Sequence, residues 1–112
     1  MKNPKQLYLV LKKQYFDEVL AGTKKEEYRG FTDHFINKLC EVDEDGQILD
    51  TKKYETVKFQ MGYNKDAPQL VVECKQIMID TDEDVDLDKD FLTSENCNFT
   101  IVLGEILEKI NC

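Results

Sequence analysis

The densest group of chemically capable side chains is the run Gly22-Thr-Lys24-Lys-Glu-Glu27-Tyr-Arg29. Arg29 offers a planar fork of donors suited to a phosphate or to the carbonyl edge of a base, Lys24 a mobile ammonium, and Glu27 an acceptor. On a strand, residues 27 and 29 project to the same side with Cα atoms about 7 Å apart, so both can line one cleft while Lys24 swings over it from the preceding turn. The plain alternative is a solvated ion pair between Glu27 and Arg29, worth under about 1 kcal/mol. A second candidate is Gly62-Tyr63-Asn64, where a loop tyrosine between a flexible glycine and an amide can stack on a base or simply cover the core edge.

Other residues offer less. His34 is the single imidazole, and six positions from Cys40 on a helix it lies about 120° away, so a Cys-His nucleophile is not expected. Asp84-x-Asp86-x-Asp88 with Glu95 copies the oxygen spacing of an EF-hand loop, yet Lys89 occupies the position that needs glycine for the sharp turn, so a solvated acidic loop is expected and no metal. Cys40, Cys74, Cys97 and Cys112 form no C-x-x-C pair, which points to scattered, mostly buried thiols. No cofactor is implied.

Several elements must position the Gly22 to Arg29 run. Gln6 to Lys12 is short and continuously apolar in its middle, as in a strand covered on both sides or closing a barrel. Tyr15, Phe16, Val19 and Leu20 form one stripe of a two-turn helix over Gln14 to Leu20, stopped by Ala21-Gly22. A second strand is expected over Lys24 to Arg29, closed by Gly30. Thr32-Asp33 caps a helix carrying Phe31, Phe35, Ile36 and Leu39 on one side, and Glu41 to Asp50, with its Asp45-Gly46 turn, reads as a loop. Glu55 to Met61 and Gln69 to Asp80 read as a hairpin. Asp80 to Asp90 is an acidic run without an apolar face, and Phe99 to Ile110 is a final β segment broken by Gly104. The order β-α-β-α-β-β-β suits an α+β fold, a small mixed barrel with helical plugs, better than a doubly wound sheet.

Gly22-x-Lys24-x-x-Glu27-x-Arg29 resembles the G-x-K-x-x-E-x-R signature of the ASCH domain family. Leu9-Val-Leu-Lys12, Phe16-Asp-Glu-Val-Leu-Ala-Gly22, Phe59-Gln-Met-Gly-Tyr63 and Ile101-Val-Leu-Gly104 are similar to the flanking segments of that family, so the resemblance covers about residues 7 to 107. It implies a PUA-like β-barrel of about five to six strands with two or more short helices. It further implies a cleft beside the barrel that binds RNA or a modified nucleoside or nucleotide through Gly22, Lys24, Glu27 and Arg29, with Tyr63 as a stacking wall. Small members similar to N4-acetylcytidine amidohydrolase suggest the alternative, deacylation of an N4-acetylcytidine-like nucleoside, with Lys24 and Glu27 as catalytic residues. Glu27 stands where those members carry a threonine, and a carboxylate does not replace a hydroxyl nucleophile in acyl transfer.

Composition bounds these readings. With 112 residues the chain is expected to be one ASCH-like domain over 1–112, and its 41% hydrophobic content is that of a globular core rather than a disordered chain. No apolar window is long enough for a membrane span, and residues 1–6 lead straight into a strand without a signal-like core, so a cytoplasmic protein with no membrane partner is expected. The net charge of −8 is uneven: residues 1–29 hold seven basic and four acidic side chains, a balance of +3, whereas residues 30–112 hold eight against nineteen, a balance of −11. Such a field repels polyanions, so an anionic ligand must be gripped by a focused cluster. An interaction module that docks a basic protein on its acidic face is a third class.

Overall fold

The computed structural model describes residues 5–86 and 91–112. Among these residues seven strands and two helices follow in the order β1 (Gln6–Leu11), α1 (Lys13–Leu20), β2 (Glu26–Gly30), α2 (Asp33–Leu39), β3 (Cys40–Val42), β4 (Ile48–Thr51), β5 (Thr56–Met61), β6 (Gln69–Thr81) and β7 (Cys97–Ile110). Five strands form one mixed sheet, ordered β1-β5-β6-β7-β2, and β3-β4 form a separate two-stranded sheet. The expected α+β class is therefore observed. The described chain divides into two compact units, one of residues 5–27, 53–76 and 102–112 and the other of residues 28–52, 77–86 and 91–101.

In the first unit β1 runs parallel to β5 and β5 runs antiparallel to β6. The register sets Leu9 opposite Phe59 and Phe59 opposite Leu70, with Leu7, Val57 and Val72 in a second row. All six side chains are buried. Because side chains alternate along a strand, a slip of one residue in either pairing would turn a whole row to solvent, so burial fixes the register. The helix α1 packs on β1 and β5 and inserts Phe16 and Val19, both fully or nearly fully buried.

In the second unit the core is built on Phe31, Leu39, Ile77, Phe99 and Ile101. The rings of Phe31 and Phe99 lie 5.2 Å apart at a tilt of 31°, within the range in which aromatic pairs attract beyond their burial. Thr32 caps α2, its hydroxyl accepting from the Phe35 N–H at 3.3 Å, as the Thr32-Asp33 pair predicts. Thr100, also buried, donates its hydroxyl to the Asp80 carboxylate.

Four local expectations are corrected. β1, at the end of the sheet order, is fully covered on one side only: Leu7, Leu9 and Leu11 are buried, while on the other face Gln6 and Tyr8 are exposed and Val10 is half-buried. The segment over Glu41 to Asp50 is the β3-β4 hairpin rather than a loop. Its turn is closed by the Asp43 carboxylate, which accepts from the N–H groups of Asp45 and Gln47 at 2.9 Å each, and by Gly46 at φ 81°. β7 is not broken at Gly104 but runs through it; the Glu73 side chain lies across the bare Cα, where a Cβ would stand 2.9 Å from the Glu73 Cβ. The strand expected from Lys24 begins at Glu26, leaving Lys24 in the turn. Of the calcium-like spacing, Asp88 and Lys89 lie outside the described residues. No helix among the described residues is long and apolar enough to cross a membrane.

Three outcomes test this packing. Phe59→Ala, which empties the shared row of three strands, is expected to cost about 3 to 5 kcal/mol in urea denaturation. The cysteines are all free, and burial pushes the thiols of Cys40, Cys74 and Cys97 up from the ordinary value of 9.0, with Asp82 adding to the rise at Cys97 and Lys52 opposing it at Cys40 more than Asp50 adds to it. A thiol held higher in the folded state contributes stability below pH 9 that is lost as pH rises through the folded value. Denaturation midpoints are thus expected to fall above pH 9. Iodoacetamide is expected to label the exposed Cys112 first under native conditions and the other three only in denaturant.

Candidate functional site

The helix α1 ends in a Schellman turn, and that turn delivers Lys24. Gly22 N–H donates to the Val19 carbonyl at 3.0 Å and Thr23 N–H to the Glu18 carbonyl at 3.1 Å, with Gly22 at φ 79°, a conformation that glycine adopts without Cβ strain. The Glu18 carbonyl also accepts from the Thr23 hydroxyl at 3.1 Å and from the Lys24 N–H at 3.2 Å. On the other side of Lys24, the Lys25 carbonyl accepts from Leu103 N–H of β7 at 2.9 Å. The backbone of Lys24 is therefore anchored on both flanks.

From this position Lys24 Nζ reaches Glu27 Oε1 at 3.7 Å, an ion pair too long for a direct charge-assisted hydrogen bond. The two side chains are only 16% and 7% exposed. At an effective dielectric of about 20 the attraction is about 4 kcal/mol, while withdrawing each ion from water costs several kcal/mol, so the pair roughly breaks even and contributes placement of charge more than stability. Lys24 Nζ also stands 5.5 Å from the centre of the Tyr15 ring. That cation–π contact adds about 0.5 to 2 kcal/mol and holds the ammonium toward α1. A pocket of about 240 Å³ opens beside the turn, with Val19, Gly22, Lys24, Val72, Leu103 and Ile106 in its walls.

Of the residues expected from sequence, Gly22, Lys24 and Glu27 are brought together at one turn. Arg29 lies two positions beyond Glu27 on β2, in the second unit. Its Nη1 donates to the Tyr28 carbonyl at 2.9 Å and its guanidinium stands 5.8 Å from the Phe35 ring centre, so part of the fork is engaged locally. The alternation along β2 is as expected, with Glu27 buried, Tyr28 exposed and Arg29 half-buried. Tyr63 stands on the β5-β6 loop and is 88% exposed; the loop is tied to the end of β1 by Gly62 N–H donating to the Leu11 carbonyl at 3.0 Å. His34 is exposed and meets the edge of Phe35, as a surface histidine.

Tyr15, expected on the apolar stripe of α1, stands instead beside Lys24 at the site. It is 40% exposed, while Phe16 and Val19 of the same stripe are buried, and the apolar spacing alone does not distinguish it from them.

The coupling of Lys24 to Glu27 is measurable by a double-mutant cycle. Lys24→Met and Glu27→Gln are each expected to lower the unfolding free energy by about 3 kcal/mol, since each leaves a buried charge without its counter-charge, and the double variant to lose less than the sum by at least about 1 kcal/mol. Additive losses in denaturation would show that the two charges do not interact.

Comparison of the chain with known protein families, with curated proteins and with solved structures finds no match in any of the three.

Proposed function

We propose that this protein is an ASCH-like domain with a PUA-like barrel that binds an RNA element or a modified nucleoside or nucleotide at the turn formed by Gly22, Lys24 and Glu27. The observation that carries the reading is the Lys24–Glu27 pair, largely withdrawn from water at the end of α1 and lying against Tyr15. A base edge presents donors and acceptors side by side, and an ammonium next to a carboxylate offers the complementary pair, with a pocket beside them to receive a bulky group. The mixed sheet with two helices and the signature spacing Gly22-x-Lys24-x-x-Glu27-x-Arg29 both support the reading. Arg29 takes its part in ligand binding from that signature, and the exposed Tyr63 ring has the free face a stacked base requires.

The second reading is deacylation of an N4-acetylcytidine-like nucleoside. It is favoured by the closeness of Lys24 to Glu27, 3.7 Å apart, which lets Glu27 take a proton from a water that attacks the acetyl carbonyl while Lys24 gives one to the departing N4, so that cytidine and acetate are released.

Titration of nucleosides, nucleotides and short RNAs, read by calorimetry alongside a chromatographic assay of N4-acetylcytidine, tests both. A binder is expected to lose about tenfold or more in affinity on Arg29→Ala and on Lys24→Ala, with a shallow salt dependence because few phosphates are engaged. Unchanged affinity in a folded Arg29→Ala protein defeats the role given to Arg29, and absence of any binding defeats the reading. Turnover by the wild-type chain that falls by about two orders of magnitude or more in Lys24→Ala at saturating substrate establishes the hydrolase instead.

A further inference from the structure

The second unit contains a pocket that the proposed nucleoside site does not use. Its volume is about 390 Å³, within the roughly 300 to 1,000 Å³ of small-ligand sites, and its walls are Phe31, Ile36 of α2, Ile48 of β4 and the pair Phe91-Leu92, with Gly46 and Gln47 of the β3-β4 turn completing it. Phe91 is 88% exposed and Ile36, Ile48 and Leu92 are half-buried, so an aromatic ring and three aliphatic side chains meet solvent around one concavity. Isolated exposed apolar residues are ordinary, whereas apolar residues gathered about a hollow mark an interaction site.

The charge around these walls selects the occupant. Residues 28–52 and 77–101 carry fourteen carboxylates against four basic side chains. Exposed carboxylates flank the walls in sequence: Glu44 and Asp45 precede Gly46 on the turn, Asp33 lies one helical turn before Ile36, and Glu95 follows Leu92 by three residues. The Asp43 carboxylate is committed to the turn itself. Nucleic acid is repelled by this field, and so is a second copy of the same acidic unit.

We propose that this pocket docks a lysine- or arginine-rich segment of a partner protein that inserts one large apolar side chain. The apolar anchor is desolvated among Phe31, Ile36, Ile48 and Phe91 and supplies affinity, while flanking basic residues meet the carboxylates and supply rate and selectivity.

Fluorescence anisotropy with a labelled lysine-serine peptide bearing one central phenylalanine tests the proposal on the full chain. Binding is expected, weaker by about tenfold or more when serine replaces that phenylalanine in the peptide, and weaker by a similar factor in Phe91→Ala, whose exposed position leaves the fold intact by circular dichroism. Glu44→Lys with Asp45→Lys is expected to weaken binding at low salt and to flatten its salt dependence. Failure to bind, equal binding of the two peptides, or an unchanged Phe91→Ala variant would overturn the pocket as the docking site. Competition by a short RNA, or a concentration-dependent dimer in sedimentation that Phe91→Ala dissolves, would replace the proposed partner with nucleic acid or with a second copy.

Discussion

The pairing of β1 with β5 governs the first unit. Parallel strands cannot be joined by a tight turn, and here 44 residues separate Leu11 from Thr56, so the contact is long-range and its register rests on side-chain burial. Leu7 and Leu9 meet Val57 and Phe59, which in turn meet Val72 and Leu70, and the two buried rows persist across three strands. With β1 held in that register, the chain leaves the sheet at Lys12 and α1 lies back over the same rows through Phe16 and Val19. The direction of α1 then decides where its C-terminal turn falls.

That turn converts core packing into a site. An eight-residue helix is too short to be stable alone, so its end is placed by the core, and the Schellman hydrogen bonds transmit the placement to Thr23 and Lys24. An ammonium on such an anchored backbone meets Glu27 with little freedom left to lose when a ligand arrives, which is the physical sense in which a site is preorganised. The same reasoning explains why a pair of charges that roughly breaks even in stability is useful: its field is fixed in direction, in a region partly screened from water.

Charge is distributed with the same economy. In sequence the basic excess lies in residues 1–29 and the acidic excess in the remainder, with fourteen of the carboxylates in the residues of the second unit, 28–52 and 77–101. Screening in physiological salt limits each such field to about 8 Å, so charges act on their near neighbours rather than through the net charge of −8.

The sequence alone carried the two helices, the helix stop at Gly22, the Thr32 cap and the order of the five strands of the main sheet along the chain, because each is written in local chemistry: an apolar period, a glycine able to take positive φ, a hydroxyl before a helix. It also located the turn in which Lys24 and Glu27 meet, since an i, i+3 spacing across a turn brings side chains together whatever surrounds them. Tertiary structure alone decided the rest. The parallel pairing of β1 with β5, the exposure of Tyr8, the continuity of β7 beneath Glu73, and the recruitment of Tyr15 to Lys24 all depend on residues far apart in the chain. The β3-β4 hairpin is not legible in the sequence because its strands, of three and four residues, are too short to show alternation. Periodicity tells that a face is buried; only packing tells against what.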